Sequence, residues 1–169
     1  MAKAPTERVG PPPHWTVERR RRTDELIDEY RTALHDSLDG VSDDEARRRL
    51  VPSKTTLLGL VKHVTFVEGV WFDQAVTGRS YPELGIASTV NGSFTLSKDD
   101  TIASVQAAYR ARCEVSRTNL AGLNDDDVVT GRGIRPVWAL QLQVLRELAQ
   151  HAGHADILRE QILASRSAV

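Results

Sequence analysis

The chain has a single cysteine, Cys113. No disulfide can form within it, and a reducing, cytoplasmic setting is the expectation. Cys113 sits mid-helix between Arg112 and Glu114 and reads as an inert helix residue. Charge of neither sign dominates. The formal net charge is −1, which calls for neither nucleic acid nor an acidic membrane surface as partner. No apolar run is long enough to span a bilayer, and the first residues lack the apolar segment of a signal peptide. A glycine-rich phosphate loop, a nucleophile elbow and a CxxC pair are also missing. Gly131 and Gly133 precede an expected helix rather than follow a strand, so they form no dinucleotide fingerprint. Internal repeats and a convincing strand are absent from the pattern.

What remains is helical periodicity. The 169 residues suit one domain with a short tail. Residues 1–15 read as a flexible arm around Pro11-Pro12-Pro13, with Trp15 pinning it to a domain over 16–169. A first helix is expected from Thr16 or Val17 to Leu38, on the apolar face Leu26, Ile27, Tyr30, Leu34 and Leu38. Its Arg19–Arg22 run is followed by Asp24, Glu25, Asp28 and Glu29, a solvated face with local ion pairs. Ser42 and Glu45 make a capping box for a short helix to Leu50. Ser53 is expected to cap a helix from Lys54 to Val76, whose wide stripe Leu57, Leu60, Val61, Val64, Val67, Trp71 and Phe72 suits the centre of a bundle. A long connection, Gly78 to Lys98, reads as a lid or rim, or as short structure of its own. Asp99 or Asp100 is expected to cap a helix to about Leu120. After a loop from Gly122 to Gly133, Pro136 opens a last helix to about Ser165. The fold class is all-α: an up-down four-helix bundle with one additional short helix.

The last helix carries the chemistry. At about 100° per residue, Leu140, Val144, Leu148, Ala155, Leu158 and Ile162 form one apolar stripe, and His151 falls inside it. Glu147, one turn earlier, lies on its flank beside Gln143 and His154. Polar groups at a core boundary must be satisfied by a metal, a hydrogen-bond network or a wet pocket. His63, near the edge of the central helix stripe, offers a third ligand. Two imidazoles and a carboxylate suit a divalent metal, zinc first, with nickel, iron or manganese as alternatives. Glu-x3-His spacing is common in helices, so an ordinary histidine–glutamate pair is the competing reading. Trp71, Phe72 and Trp138 could line a pocket mouth, although aromatics at this spacing are more often core. His14 and His35 have no partners in sequence. Asp156 and Arg159 are spaced for a helix-surface ion pair.

Two motifs carry a family resemblance. Leu57-Leu58-Gly59-Leu60-Val61-Lys62-His63-Val64-Thr65-Phe66-Val67-Glu68, with Trp71-Phe72 after it, resembles the second helix of the DinB-like superfamily. The run from Glu147 to Glu160 resembles the last-helix signature of its mini-circle protein branch. The resemblance covers about residues 16–164. It implies a four-helix bundle with a three-ligand metal site facing a cavity. Many relatives carry three histidines. The mycothiol-dependent maleylpyruvate isomerases are similar but use His, Glu and His, which His63, Glu147 and His151 match position by position. The superfamily also includes metal-dependent transferases that use low-molecular-weight thiols. Mini-circle relatives often have histidine where this chain has Gln143. Lying two turns before His151, Gln143 reads as pocket lining, with Trp71. His154 reads as an outer partner of the metal site or a general base, ahead of an extra ligand.

The leading expectation is a cytoplasmic divalent-metal protein that acts on a small-molecule substrate with a thiol such as mycothiol, as transferase or isomerase. The loops Gly78–Lys98 and Gly122–Gly133 would shape the entrance. A non-catalytic binding or stress-response module, and a homodimer scaffold with a vestigial site, are the alternatives.

Overall fold

The first rod separates its faces as its periodicity predicts. Ile27 and Leu34 are buried, while Arg21, Arg22, Glu25 and Glu29 stay in water. The computed structural model describes residues 19–166, and this rod, α1, is Arg19–Asp36. The expected helix start, the arm 1–15, His14 and the Trp15 pin lie outside the described residues. The arginine run pairs locally, Arg20 with Asp24 and Arg22 with Glu25 and Glu29. Arg19 and Arg20 also reach Asp125 across the fold. Ser42 forms the expected capping box with Glu45, and α2 is Asp43–Ala46. It stops short of Leu50, where Arg47 and Arg49 turn away to loop carbonyls.

Thr56, not Ser53, caps the central helix. Its hydroxyl accepts from the Gly59 amide at 3.0 Å, satisfying one orphan donor of the first turn. Ser53 bonds Thr55 instead. The helix α3 runs Leu57–Glu68 and is buried on almost every side. A π-helical segment, Gly69–Gln74, and a last α-turn, Ala75–Thr77, continue it. The unexpected π segment has tertiary partners. Asn119 donates to the Phe72 carbonyl at 2.9 Å, and Arg112 holds Asp73 at 2.6 Å. The first bond competes with the helix ladder for a backbone carbonyl, and the second anchors a side chain of the same segment.

The long connection holds two short helices, α4 (Tyr81–Leu84) and α5 (Val90–Ser93). Among the described residues the bundle therefore has three short helices where one was expected. Thr101 caps α6 (Ile102–Leu120) in a box with Ser104. Asp100 does not cap it, because Lys62 and the Ser97 amide hold its carboxylate. A pair of two-residue strands follows, β1 (Val128–Val129) antiparallel to β2 (Arg135–Pro136). Pro136 belongs to β2, one residue before α7 (Val137–Arg166).

The all-α four-helix bundle stands, with its helix directions refined from strict alternation to up-down-down-up. Asp24 meets Gln141 and Ser37 meets Arg159, so α1 and α7 are parallel. His63 lies by His151 and Trp71 by Arg135, so α3 runs against α7. Lys62 meets Asp100 and Asp73 meets Arg112, which makes α3 and α6 parallel. The connection from Gly78 to Thr101 is long enough to return along the whole bundle, and so permits that order. Leu34, Leu60, Val64, Phe72, Tyr109, Leu140 and Leu148 fill the interior. The leucines, Val64 and Phe72 are each worth about 1.5–3 kcal/mol by burial. No helix among the described residues is long and apolar enough to cross a membrane.

Candidate metal centre

His63 lies in the middle of α3, while Glu147 and His151 lie one turn apart on α7. The antiparallel packing of these helices brings ligand atoms of all three to within 4.8 Å of one another. The His63 and His151 rings meet edge to face, centroids 4.8 Å apart. Both histidines are buried and Glu147 is half-buried.

Each ligand candidate is held in a different way. Ser93 Oγ donates to the Val90 carbonyl at 2.5 Å. The hydroxyl therefore accepts at its 2.7 Å contact with His63 Nδ1. That contact puts the proton on Nδ1 and leaves the Nε2 lone pair free, the tautomer a metal requires. Phe94 stacks on the same ring at 3.9 Å. Gly59 makes room for this segment: a Cβ there would lie 2.8 Å from the Phe94 carbonyl oxygen. Glu147 Oε1 accepts from Gln143 at 2.9 Å and from Arg146 at 2.6 Å. The other carboxylate oxygen, Oε2, lies 3.6 Å from His151 Nε2. Among the described residues the buried His151 Nδ1 has no hydrogen-bond partner.

Burial, and then the nearby charge of His151, lower the His63 pKa to about 4. Burial also lowers that of His151; Glu147 opposes the shift and His154 adds to it. Neutral imidazoles with free lone pairs, beside a carboxylate with one oxygen uncommitted, are a donor set that fits zinc, nickel, iron or manganese.

The other candidates take different places. Gln143 orients Glu147 rather than only lining a pocket. His154 is exposed, its ring 5.6 Å from His151, and it stands outside the converging triad. Trp71 is half-buried beneath the guanidiniums of Arg132 and Arg135. Phe72 is core, and Trp138 is 43% exposed on the outer face of α7. His35 bonds Asp36 and Arg110. Arg159 donates to Ser37, not to the expected Asp156. Cys113 is buried, and burial lifts its thiol pKa to about 12, in keeping with an inert residue.

Sequence reasoning missed Ser93 and Phe94. They lie 30 and 31 residues beyond His63 in an irregular connection, where no periodicity marks an inward side chain. The length of that connection was the one available signal. A cavity of about 340 Å³ adjoins the site, lined in part by Lys62, Phe66, Ile86, Ser93 and Val105. It lies between α3, α6 and the long connection, so Ser93 both lines the cavity and supports His63.

A family model described as mycothiol-S-transferase matches residues 22–164. No curated protein matches the chain.

Proposed function

The chain belongs to the mycothiol-S-transferase family, and from that premise we propose that it is a metal-dependent enzyme using a low-molecular-weight thiol such as mycothiol, as S-transferase or isomerase. One observation carries the reading: the ligand atoms of His63, Glu147 and His151 converge within 4.8 Å. These three residues would hold the ion, zinc first. The ion would act as Lewis acid and keep a thiol sulfur as thiolate near neutral pH.

The protein's own residues do the rest. Ser93 fixes the His63 tautomer. Gln143 and Arg146 engage one oxygen of Glu147 and leave the other turned towards His151. Phe94 covers the His63 ring and keeps water from that face. His154, exposed beside His151, accepts the thiol proton and passes it to solvent.

Elemental analysis after metal-supplemented expression tests the site. The expected result is about one divalent ion per chain in the wild type and a large loss in His63→Ala and His151→Ala. Wild-type protein without stoichiometric metal would sink the proposal, and equal metal in all three proteins would sink the ligand assignment. Mycothiol should raise the melting temperature of the metal-loaded protein. No shift would remove the thiol from the reading.

A further inference from the structure

Two guanidiniums cover one tryptophan about two helical turns from the proposed site. Arg132 lies 5.3 Å and Arg135 5.5 Å from the Trp71 ring centre. We infer that Arg132 and Arg135 form an anion-binding subsite, and that the electrophile this protein acts on carries a carboxylate. The inference rests on the thiol-transfer reading for its chemistry, but its binding half stands alone.

Both arginines are presented by a constrained turn. A Cβ on Gly131 would lie 2.2 Å from the Gln74 carbonyl oxygen, so the turn is seated directly on the end of the α3 rod. Gly131 N donates to the Ala75 carbonyl at 3.0 Å. Gly133, on the other side of Arg132, has φ +75°, a conformation suited to glycine. Arg132 Nη1 donates to Gln74 Oε1 at 3.0 Å and to the Tyr81 hydroxyl at 2.9 Å. Arg135 donates to the Arg132 carbonyl. Each guanidinium thus has fixed contacts through Nη1 and further N–H donors along its edge to offer.

No carboxylate among the described residues meets that edge. The nearby acids are committed elsewhere: Glu147 to Arg146 and Gln143, Asp73 to Arg112, Glu83 to the Ser80 cap. Two cations over one ring with no acid between them favour an anion. A planar, two-oxygen anion matches the guanidinium fork. The subsite is linked to the candidate metal centre by aromatic contacts: Tyr81 meets Phe66 edge-on at 5.7 Å, and Phe66 stacks with His63 at 6.1 Å. Eight residues of helix separate His63 from Trp71, about 12 Å. An aromatic carboxylate whose reacting carbon lies at the far end of its ring covers part of that length, and the thiol covers the remainder.

The test compares matched electrophiles. Zinc-loaded full-length protein, with mycothiol as the thiol, is assayed on 4-chloro-3-nitrobenzoate and on the uncharged 4-chloro-3-nitrobenzamide. In both, the C–S bond forms, the C–Cl bond breaks, chloride leaves with the bonding pair, and the thiol proton passes to water. The wild type should prefer the benzoate at least tenfold in kcat/KM. Arg132→Ala and Arg135→Ala should each bring that preference close to one, through KM. Arg132→Lys should keep part of it, since charge remains and the fork is lost. A wild type with no preference, or arginine variants that keep it, would overturn the inference. Calorimetric titration with 3-nitrobenzoate and 3-nitrobenzamide, without thiol, reads binding alone. At least tenfold tighter benzoate binding in the wild type, lost in Arg132→Ala, supports the subsite even if no thiol transfer is detected. That last outcome would sink the proposed function and leave the anion site standing. Equal binding of the two probes would overturn the site whatever the turnover.

Discussion

His63 and Glu68 lie five residues apart on α3, about 140° around the helix, and both are buried. Their surroundings differ in one respect that matters. Glu68 is wholly enclosed, and Arg31 closes on both of its oxygens, Nε at 2.8 Å and Nη2 at 2.7 Å. Asp28 takes a further N–H of Arg31 and also pairs with Arg117. Burial alone would lower the Arg31 pKa, but its hydrogen bonds to Glu68 and Asp28 and the nearby negative charge together outweigh it, and the net shift is upward. The His63 side has lone pairs left over: one on His63 Nε2, those of Glu147 Oε2, and the one on the unprotonated nitrogen of His151. A buried polar group closed by its own partners is a strut tying α1 to α3. A buried set with free lone pairs facing one point is a place for a ligand.

The largest effect should come from breaking the strut. Arg31→Ala leaves a buried carboxylate unpaired, and the expected loss is about 3–5 kcal/mol of stability. Denaturant unfolding checks this, with metal bound per folded molecule unchanged. A loss under about 1 kcal/mol would reduce the pair to a surface contact.

Acid should next distinguish the two sides. His63 titrates near 4 when folded and near 6.5 when unfolded. Between those values the unfolded chain binds a proton that the folded chain does not. Stability of the metal-free protein is therefore complete above about pH 6.5 and falls as pH drops towards 4, by roughly 2–3 kcal/mol. His151 shifts in the same direction. The expected signature is a shallower loss between pH 6.5 and 5 in His63→Ala than in wild type. Parallel curves would show that His63 is not the group responsible.

The smallest effect sharpens a contrast within the site. Ser93 supports His63, whereas His151 Nδ1 has no such partner among the described residues. Ser93→Ala should weaken metal affinity by about tenfold, the low end for loss of an outer hydrogen bond. Competition with a chromogenic chelator measures it. Unchanged affinity would mean that Phe94 stacking alone orients His63.

Much of this was legible because it is local. The four rods followed from apolar periodicity, and the Ser42–Glu45 box from its spacing. Glu147 and His151 are one turn apart on any helix, and His63 stood alone on an apolar stripe. The errors cluster where several residues could do the same job. Ser53, Thr55 and Thr56 can all cap a helix, as can Asp99, Asp100 and Thr101. Thr56 and Thr101 take the role, and Asp100 is drawn instead to Lys62. The π segment was invisible because the residues that hold it, Asn119 and Arg112, lie 47 and 39 residues from their partners.

Helix identity, the capping box and the pairing of Glu147 with His151 on one face are properties of sequence, because a helix repeats every 3.6 residues wherever it is put. Tertiary structure decided which lone polar residues meet. Nothing in spacing joins Arg31 to Glu68, Ser93 to His63, or Arg132 to Trp71. Those contacts depend on helix direction and on the path of the long connection, and both are set by how the whole chain buries its apolar surface.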